Sequence, residues 1–230
     1  MSDYDAWAPV YDSWAADMTE DVPFYVSLAR EATVEPVVEL AVGTGRVAIP
    51  IARETGKRVV GIDASPAMLE VARGRAEGLA VELRLGDMRD PIALEAPVDL
   101  VICPFRALLH MPTWRDKRLV FERAAAALRP GGRFAFNSFA FHHAIAAKLD
   151  GTTQNQHGTV HSFRYVPSDN RVDITRDDGA TIRLWWATRS EWDGLVEAAG
   201  LETEAVYGWF DRRPLDDEST EFVWIARKPA

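Results

Sequence analysis

Nothing in this chain constrains its fold more than the stretch Val37-Val38-Glu39-Leu40-Ala41-Val42-Gly43-Thr44-Gly45-Arg46. A short apolar run ends in two glycines two residues apart, and an amphipathic segment follows at once. That pattern predicts a buried parallel strand turning tightly into a helix. Glycines at 43 and 45 remove the Cβ atoms that would hold a ligand away from the backbone. They also expose helix N-terminal amides, which suit an anionic or polar group. Downstream, the run Arg58-Val59-Val60-Gly61-Ile62 ends in Asp63. An acidic residue there, about 20 residues past the glycines, can accept hydrogen bonds from ribose hydroxyls. The expectation is a nucleoside-containing cofactor.

A dinucleotide loop would read Gly-x-Gly-x-x-Gly, its third glycine allowing close helix packing. Here the series is Ala41-Val42-Gly43-Thr44-Gly45-Arg46-Val47-Ala48, shifted and preceded by the acidic Glu39. This arrangement resembles motif I of the class I S-adenosylmethionine-dependent methyltransferases, Glu/Asp-Leu-Gly-x-Gly-x-Gly. It departs at the first glycine, where Ala41 is tolerable if that position has ordinary φ. Further landmarks follow in family order. Ile62-Asp63-Ala64-Ser65-Pro66-Ala67-Met68-Leu69 resembles the segment after the second strand, and Leu85-Gly86-Asp87-Met88-Arg89-Asp90 the segment after the third. Val98–Cys103 reads as the fourth strand with Pro104-Phe105-Arg106 at its exit, and Arg129-Pro130-Gly131-Gly132-Arg133-Phe134 opens a fifth.

The resemblance implies a Rossmann-like seven-stranded α/β sheet, mostly parallel with one antiparallel strand. It implies S-adenosyl-L-methionine as cofactor, held by Glu39, Ala41, Gly43, Gly45, Arg46, Asp63, Ala64, Met68, Asp87, Met88, Cys103 and Phe105. In the family, the residue matching Asp63 holds the ribose, Met68 lies against the adenine, Asp87 takes the adenine amino group, and Met88 offers a backbone amide. Openings of the form Tyr-Asp-x-x-Ala-x-x-Tyr-Asp recur in similar small-molecule methyltransferases and fold over the cofactor. Tyr11 and Trp7 are the expected lid residues, since an aromatic face attracts a sulfonium. Tyr4, Trp7, Tyr11 and Trp14 share one face at helical spacing, a stripe that core packing also explains. The wider look is similar to amine- and sugar-methylating enzymes, so the expected activity is methyl transfer to an N or O atom of a small-molecule acceptor.

Two side chains after the fourth strand are candidate substrate-facing groups. His110 is placed to serve as a base, with a packing role as the alternative. Arg106 is placed to hold an acidic substrate, with a solvated surface role as the alternative. His142-His143 lie past the fifth strand and point different ways if both are helical. No His, Cys or carboxylate cluster has ligand spacing, so no metal is expected.

Composition brings no conflict. The 230 residues suit one domain, and 47% apolar residues supply its core. No apolar stretch approaches the roughly 20 residues of a membrane span. Met1-Ser2-Asp3-Tyr4-Asp5 is unlike a signal or transit peptide, which predicts a cytoplasmic location. A formal charge of −9, without basic runs, argues against nucleic acid as a partner. The assembly is expected to be a monomer or homodimer.

The domain map is a single domain over 1–230 with an N-terminal helical lid at 1–31. A helix runs from Thr19 as N-cap to Glu31, another starts at Ser65-Pro66, and Thr113-x-x-Asp116 opens a third. Residues 157–187 read as an antiparallel β-insertion of turn-linked strands, a substrate cover or dimer contact. In it, Trp185 and Trp186 face opposite ways. Two rival functions share parts of this pattern. A nicotinamide-dependent oxidoreductase would use the glycine turn and Asp63, but leaves Gly86-Asp87-Met88 unexplained. A non-catalytic S-adenosylmethionine-binding protein would use every cofactor residue.

Overall fold

The computed structural model describes residues 3–230; Met1 and Ser2, the first positions of the expected 1–31 lid, lie outside them. Along the chain, α1 (Tyr11–Trp14) and α2 (Asp21–Glu31) precede β1 (Val37–Leu40). There follow α3 (Ala48–Thr55), β2 (Val59–Asp63), α4 (Pro66–Arg75), β3 (Val81–Leu85), β4 (Val98–Cys103), α5 (Trp114–Ala127) and β5 (Leu128–Phe139). Next, α6 (His143–Leu149) leads into β6 (Thr153–Gln156), β7 (Thr159–Val166), β8 (Arg171–Arg176) and β9 (Thr181–Trp185). The chain closes with α7 (Arg189–Ala198), β10 (Glu202–Tyr207) and β11 (Glu221–Arg227).

Seven strands form one sheet in the order β10-β11-β5-β4-β1-β2-β3. Only β11 runs against the rest, pairing antiparallel with both β5 and β10. Every residue of β1 and of β4 is buried, as parallel strands covered on both faces require. On one face Phe121 of α5 meets Phe134 and Phe136 of β5 at ring separations of 5.2 and 5.1 Å. On the other, Leu28 of α2 and Ile51 of α3 pack with Val37, Leu100 and Ile225.

The expected starts of two helices hold. Ser65 accepts from the Met68 amide, with Pro66 at the first helical position, and Thr113 accepts from the Asp116 amide. Three expectations need correction. Thr19 does not cap α2; its amide and hydroxyl donate to the neighbouring Glu20 carboxylate instead, and the helix begins at Asp21. The 3–10 segment is a series of turns, with helix only over Tyr11–Trp14. His142 caps α6 with extended backbone, so its ring stacks on that of His143, 8° from parallel, instead of pointing away.

The inserted sheet has four antiparallel strands in the order β6-β7-β8-β9. Its first strand, Thr153–Gln156, escaped the sequence pattern because Thr-Gln-Asn-Gln has no apolar alternation. The sheet docks at the exit of β4, where His110 bonds the main chain of β9.

Candidate functional site

The strand order reverses between β1 and β4, and both strands end at a crevice, the usual ligand position in such sheets. Residues leaving β1, β2, β3 and β4 line one cavity there, about 970 Å³ including its part open to solvent. Ala41 and Gly43 come from the first loop, Asp63, Ala64 and Met68 from the second, Asp87 and Met88 from the third, and Phe105 and His110 from the fourth. Tyr4 and Tyr11 close it from the N-terminal segment, Arg183 and Trp185 from β9.

The loop after β1 is shaped by left-handed backbone. Gly43 has φ +54° and Gly45 φ +80°, and a Cβ at Gly45 would stand 2.8 Å from Ile49 Cδ1. Ala41 also has φ +56°. The condition under which Ala41 would be tolerated, an ordinary φ, is therefore not met: this position has the conformation that favours glycine, and the alanine carries strain. Phe105 and Arg106 are left-handed too, at +55° and +62°, so non-glycine strain clusters around the cavity.

Asp63 holds the loop in place. One carboxylate oxygen accepts from the Gly43 amide at 2.8 Å and the other from the Ser65 amide at 2.8 Å. Burial pushes its carboxyl above the usual range, opposed by those amides. Asp87 is gripped by Arg89, whose guanidinium and amide both donate to it, and which holds its carboxyl low.

Several expected cofactor residues stand behind the lining. Glu39 is 2% exposed, and its Oε2 has no hydrogen-bond partner among the described residues. Burial pushes its carboxyl well above the ordinary range. Arg46 donates to both oxygens of the fully buried Asp21 at 2.8 and 2.5 Å, and its guanidinium lies 4.5 Å from the Phe105 ring centre. Gly45 turns the loop, Cys103 is buried with its thiol pushed up by desolvation, and Trp7 is fully buried against Trp14. Sequence reasoning passed over Tyr4, Arg183 and Trp185 as cavity residues. Tyr4 belonged to the aromatic stripe, but a contact from β9 leaves no local signal.

His110 has both ring nitrogens engaged: Nδ1 with the Arg183 carbonyl at 3.1 Å and Nε2 with the Tyr4 hydroxyl at 2.9 Å. A carbonyl only accepts, so the partners assign the proton to Nδ1, and Nε2 accepts from Tyr4. Burial pushes the imidazole down to about 4, keeping it neutral. Arg106 is not free to meet an anion. Its guanidinium donates to the fully buried Glu221 at 3.0 and 2.8 Å, and Glu221 also accepts from Asn137 at 2.6 Å.

A second cavity adjoins the first, about 920 Å³ with its open part. Tyr4, Phe105 and His110 line both. Its other walls come from the N-terminal segment and the inserted sheet, among them Trp14, Phe163 and Leu184. No group of three or more His, Cys or carboxylate residues able to hold a metal occurs among the described residues. No helix there is long and apolar enough to cross a membrane.

The residues fit an adenosyl cofactor. Asp63 presents carboxylate oxygens at the β2 end, Asp87 and Met88 line the far wall, and the glycine loop leaves its backbone open between them. Comparisons agree. The methyltransferase domain family matches residues 37–132. Methyltransferase GfsG of Streptomyces halstedii is 36% identical over 102 residues, which span 43% of this chain and 36% of that protein. The structure of the CcbJ methyltransferase from Streptomyces caelestis superposes with a TM-score of 0.77 at 25% identity, over 95% of this chain and 90% of that one. CalS10 from Micromonospora echinaspora, an amino pentose methyltransferase solved with S-adenosylmethionine bound, gives 0.69 at 25% identity, over 97% and 96%. Loop, strand order and these relatives converge: residues 37–132 match a methyltransferase domain family, and the chain resembles the class I S-adenosylmethionine-dependent methyltransferases in fold and cofactor loop.

Proposed function

We propose that this protein transfers a methyl group from S-adenosylmethionine to an N or O atom of a small-molecule acceptor seated in the second cavity. The observation that carries this reading is the shared wall: Tyr4, Phe105 and His110 border both cavities, so two ligands would meet there. The amino pentose methyltransferase CalS10 has the same fold and supports a small acceptor. When bound, the cofactor supplies a methyl group on a sulfonium sulfur, which a nucleophile takes in line as the carbon–sulfur bond breaks.

The chain's own part is to position and to exclude water. Asp63, Asp87 and Met88 would hold the nucleoside, and the Arg46–Phe105 stack would brace the end nearest the acceptor. The N-terminal segment acts as a lid: Asp12 accepts from Thr44 at 2.7 Å and Asp5 from Ser65 at 2.6 Å, which ties it to both cofactor loops. The inserted sheet serves as the acceptor-side cover. His110 acts through Tyr4, fixing the hydroxyl at the meeting point. A base kept at about 4 is weak, so an amine acceptor, which sheds its proton to water before attack, suits the site better than an alcohol.

The test is incubation with S-adenosylmethionine and a panel of small amines and alcohols, reading S-adenosylhomocysteine release and a one-methyl mass gain. Methylated product from a member of the panel is expected, with its rate reduced about 100-fold in Tyr4→Phe while S-adenosylhomocysteine affinity holds. Full activity in Tyr4→Phe would remove Tyr4 and His110 from the reaction.

A further inference from the structure

Among the described residues Arg106 is the one guanidinium on the wall of the second cavity, and its charge is already met. Its Nε and Nη2 donate to Glu221, which is fully buried beneath it, and Asn137 fixes the same carboxylate from the other side. An anionic acceptor would therefore meet no free cation among the described residues. Burying a carboxylate or phosphate unpaired is costly. The remaining charges on the wall among the described residues are the carboxylates of Asp17 and Glu20. Asp17 accepts from His157 at 2.8 Å and is 68% exposed, so solvent screens its pull. The aromatic surfaces add to the same preference: Trp14, Phe163 and Trp209 line the cavity, and aromatic faces attract cations and repel anions. The indole N–H of Trp14 has no hydrogen-bond partner among the described residues.

We propose that the second cavity selects an acceptor with an apolar body and an amine that is cationic at neutral pH, and rejects acceptors bearing carboxylate or phosphate. The inference rests on the methyl-transfer reading for what lies next door, and on the cavity itself for the ligand class. Apolar side chains on β8 and β9, Ile174, Ile182 and Leu184, form the floor such a body would cover.

The test uses the full chain saturated with S-adenosylhomocysteine and two probes of matched size, 2-phenylethylamine and 3-phenylpropanoate. Binding is followed by calorimetry and by tryptophan fluorescence, since Trp14 and Trp209 face the ligand. The amine should bind at least tenfold tighter than the acid. Glu221→Gln, which leaves the Arg106 charge unmet, should move that ratio at least fivefold toward the acid. If that variant fails to fold, Asp17→Asn with Glu20→Gln, both at exposed positions, should narrow the ratio about threefold. Equal or tighter binding of the acid by the native chain, a ratio that no charge change moves, or no binding of either probe would overturn the inference. Failure of S-adenosylhomocysteine itself to bind would instead overturn the methyl-transfer reading.

Discussion

Asp63→Ala should act twice, once on the fold and once on the cofactor. In the structure the Asp63 carboxylate accepts from the amides of Gly43 and Ser65, both at 2.8 Å. Its loss leaves two backbone donors without their charged partner. Each such loss costs roughly 1–3 kcal/mol where water cannot substitute. The cavity is open on one side, so water recovers part of this, and a total of about 3 kcal/mol is expected. For a chain of this size that corresponds to a fall in Tm of about 6–12 °C before any ligand is added. The ribose contacts proposed for Asp63 would vanish as well, and S-adenosylhomocysteine should bind about 10–100-fold more weakly, the equivalent of roughly 1.4–2.7 kcal/mol. Thermal scans with and without ligand separate the two effects. A variant with unchanged Tm but weakened binding would show that the two amides do not depend on Asp63. Unchanged binding in a folded variant would refute its ribose role.

Ala41→Gly should be neutral to stabilising by up to about 1 kcal/mol, because relief of the left-handed strain offsets the greater freedom of glycine in the unfolded chain. Ala48→Gly in α3, the control, should lose about 1 kcal/mol, and equal losses at both sites in chemical denaturation would contradict the strain. Arg46→Met should destabilise by roughly 3–5 kcal/mol, since it leaves the fully buried Asp21 carboxylate unpaired; an unchanged denaturation midpoint would refute that pairing. The His110 imidazole should remain neutral, with its proton on Nδ1, in NMR spectra from pH 8 to 5. Its proton affinity is lowered on folding, so from pH 6.5 down to about 4 the unfolded chain takes up a proton that the folded chain refuses. Stability therefore falls as pH drops through that window, by up to about 3 kcal/mol, and a His110 midpoint near 6.5 would contradict its burial.

Much of the cofactor half of the site was legible in sequence because it is local. Asp63 ends β2, Gly43 and Asp87 lie in the loops just past β1 and β3, and these strand ends converge by the geometry of a parallel sheet. The caps at Ser65 and Thr113 were legible for the same reason, as both are satisfied within one turn. The acceptor half was not. Arg106 meets Glu221 across 115 positions, and His110 meets Arg183 across 73, so no spacing rule links them. Ala41 misled in a different way: a small side chain reveals nothing about the φ it is forced to adopt. Thr153–Gln156 joined the inserted sheet through pairing with β7 alone, and a strand held by its neighbour carries no hydrophobic pattern of its own.

The most direct measurement is calorimetric titration of the protein with S-adenosylmethionine and S-adenosylhomocysteine beside NADH and NADPH. The account predicts micromolar binding of both sulfur nucleosides and none of the nicotinamides, with the affinity reduced in Asp63→Ala. Tight nicotinamide binding, or no binding of the sulfur nucleosides by folded protein, would contradict it.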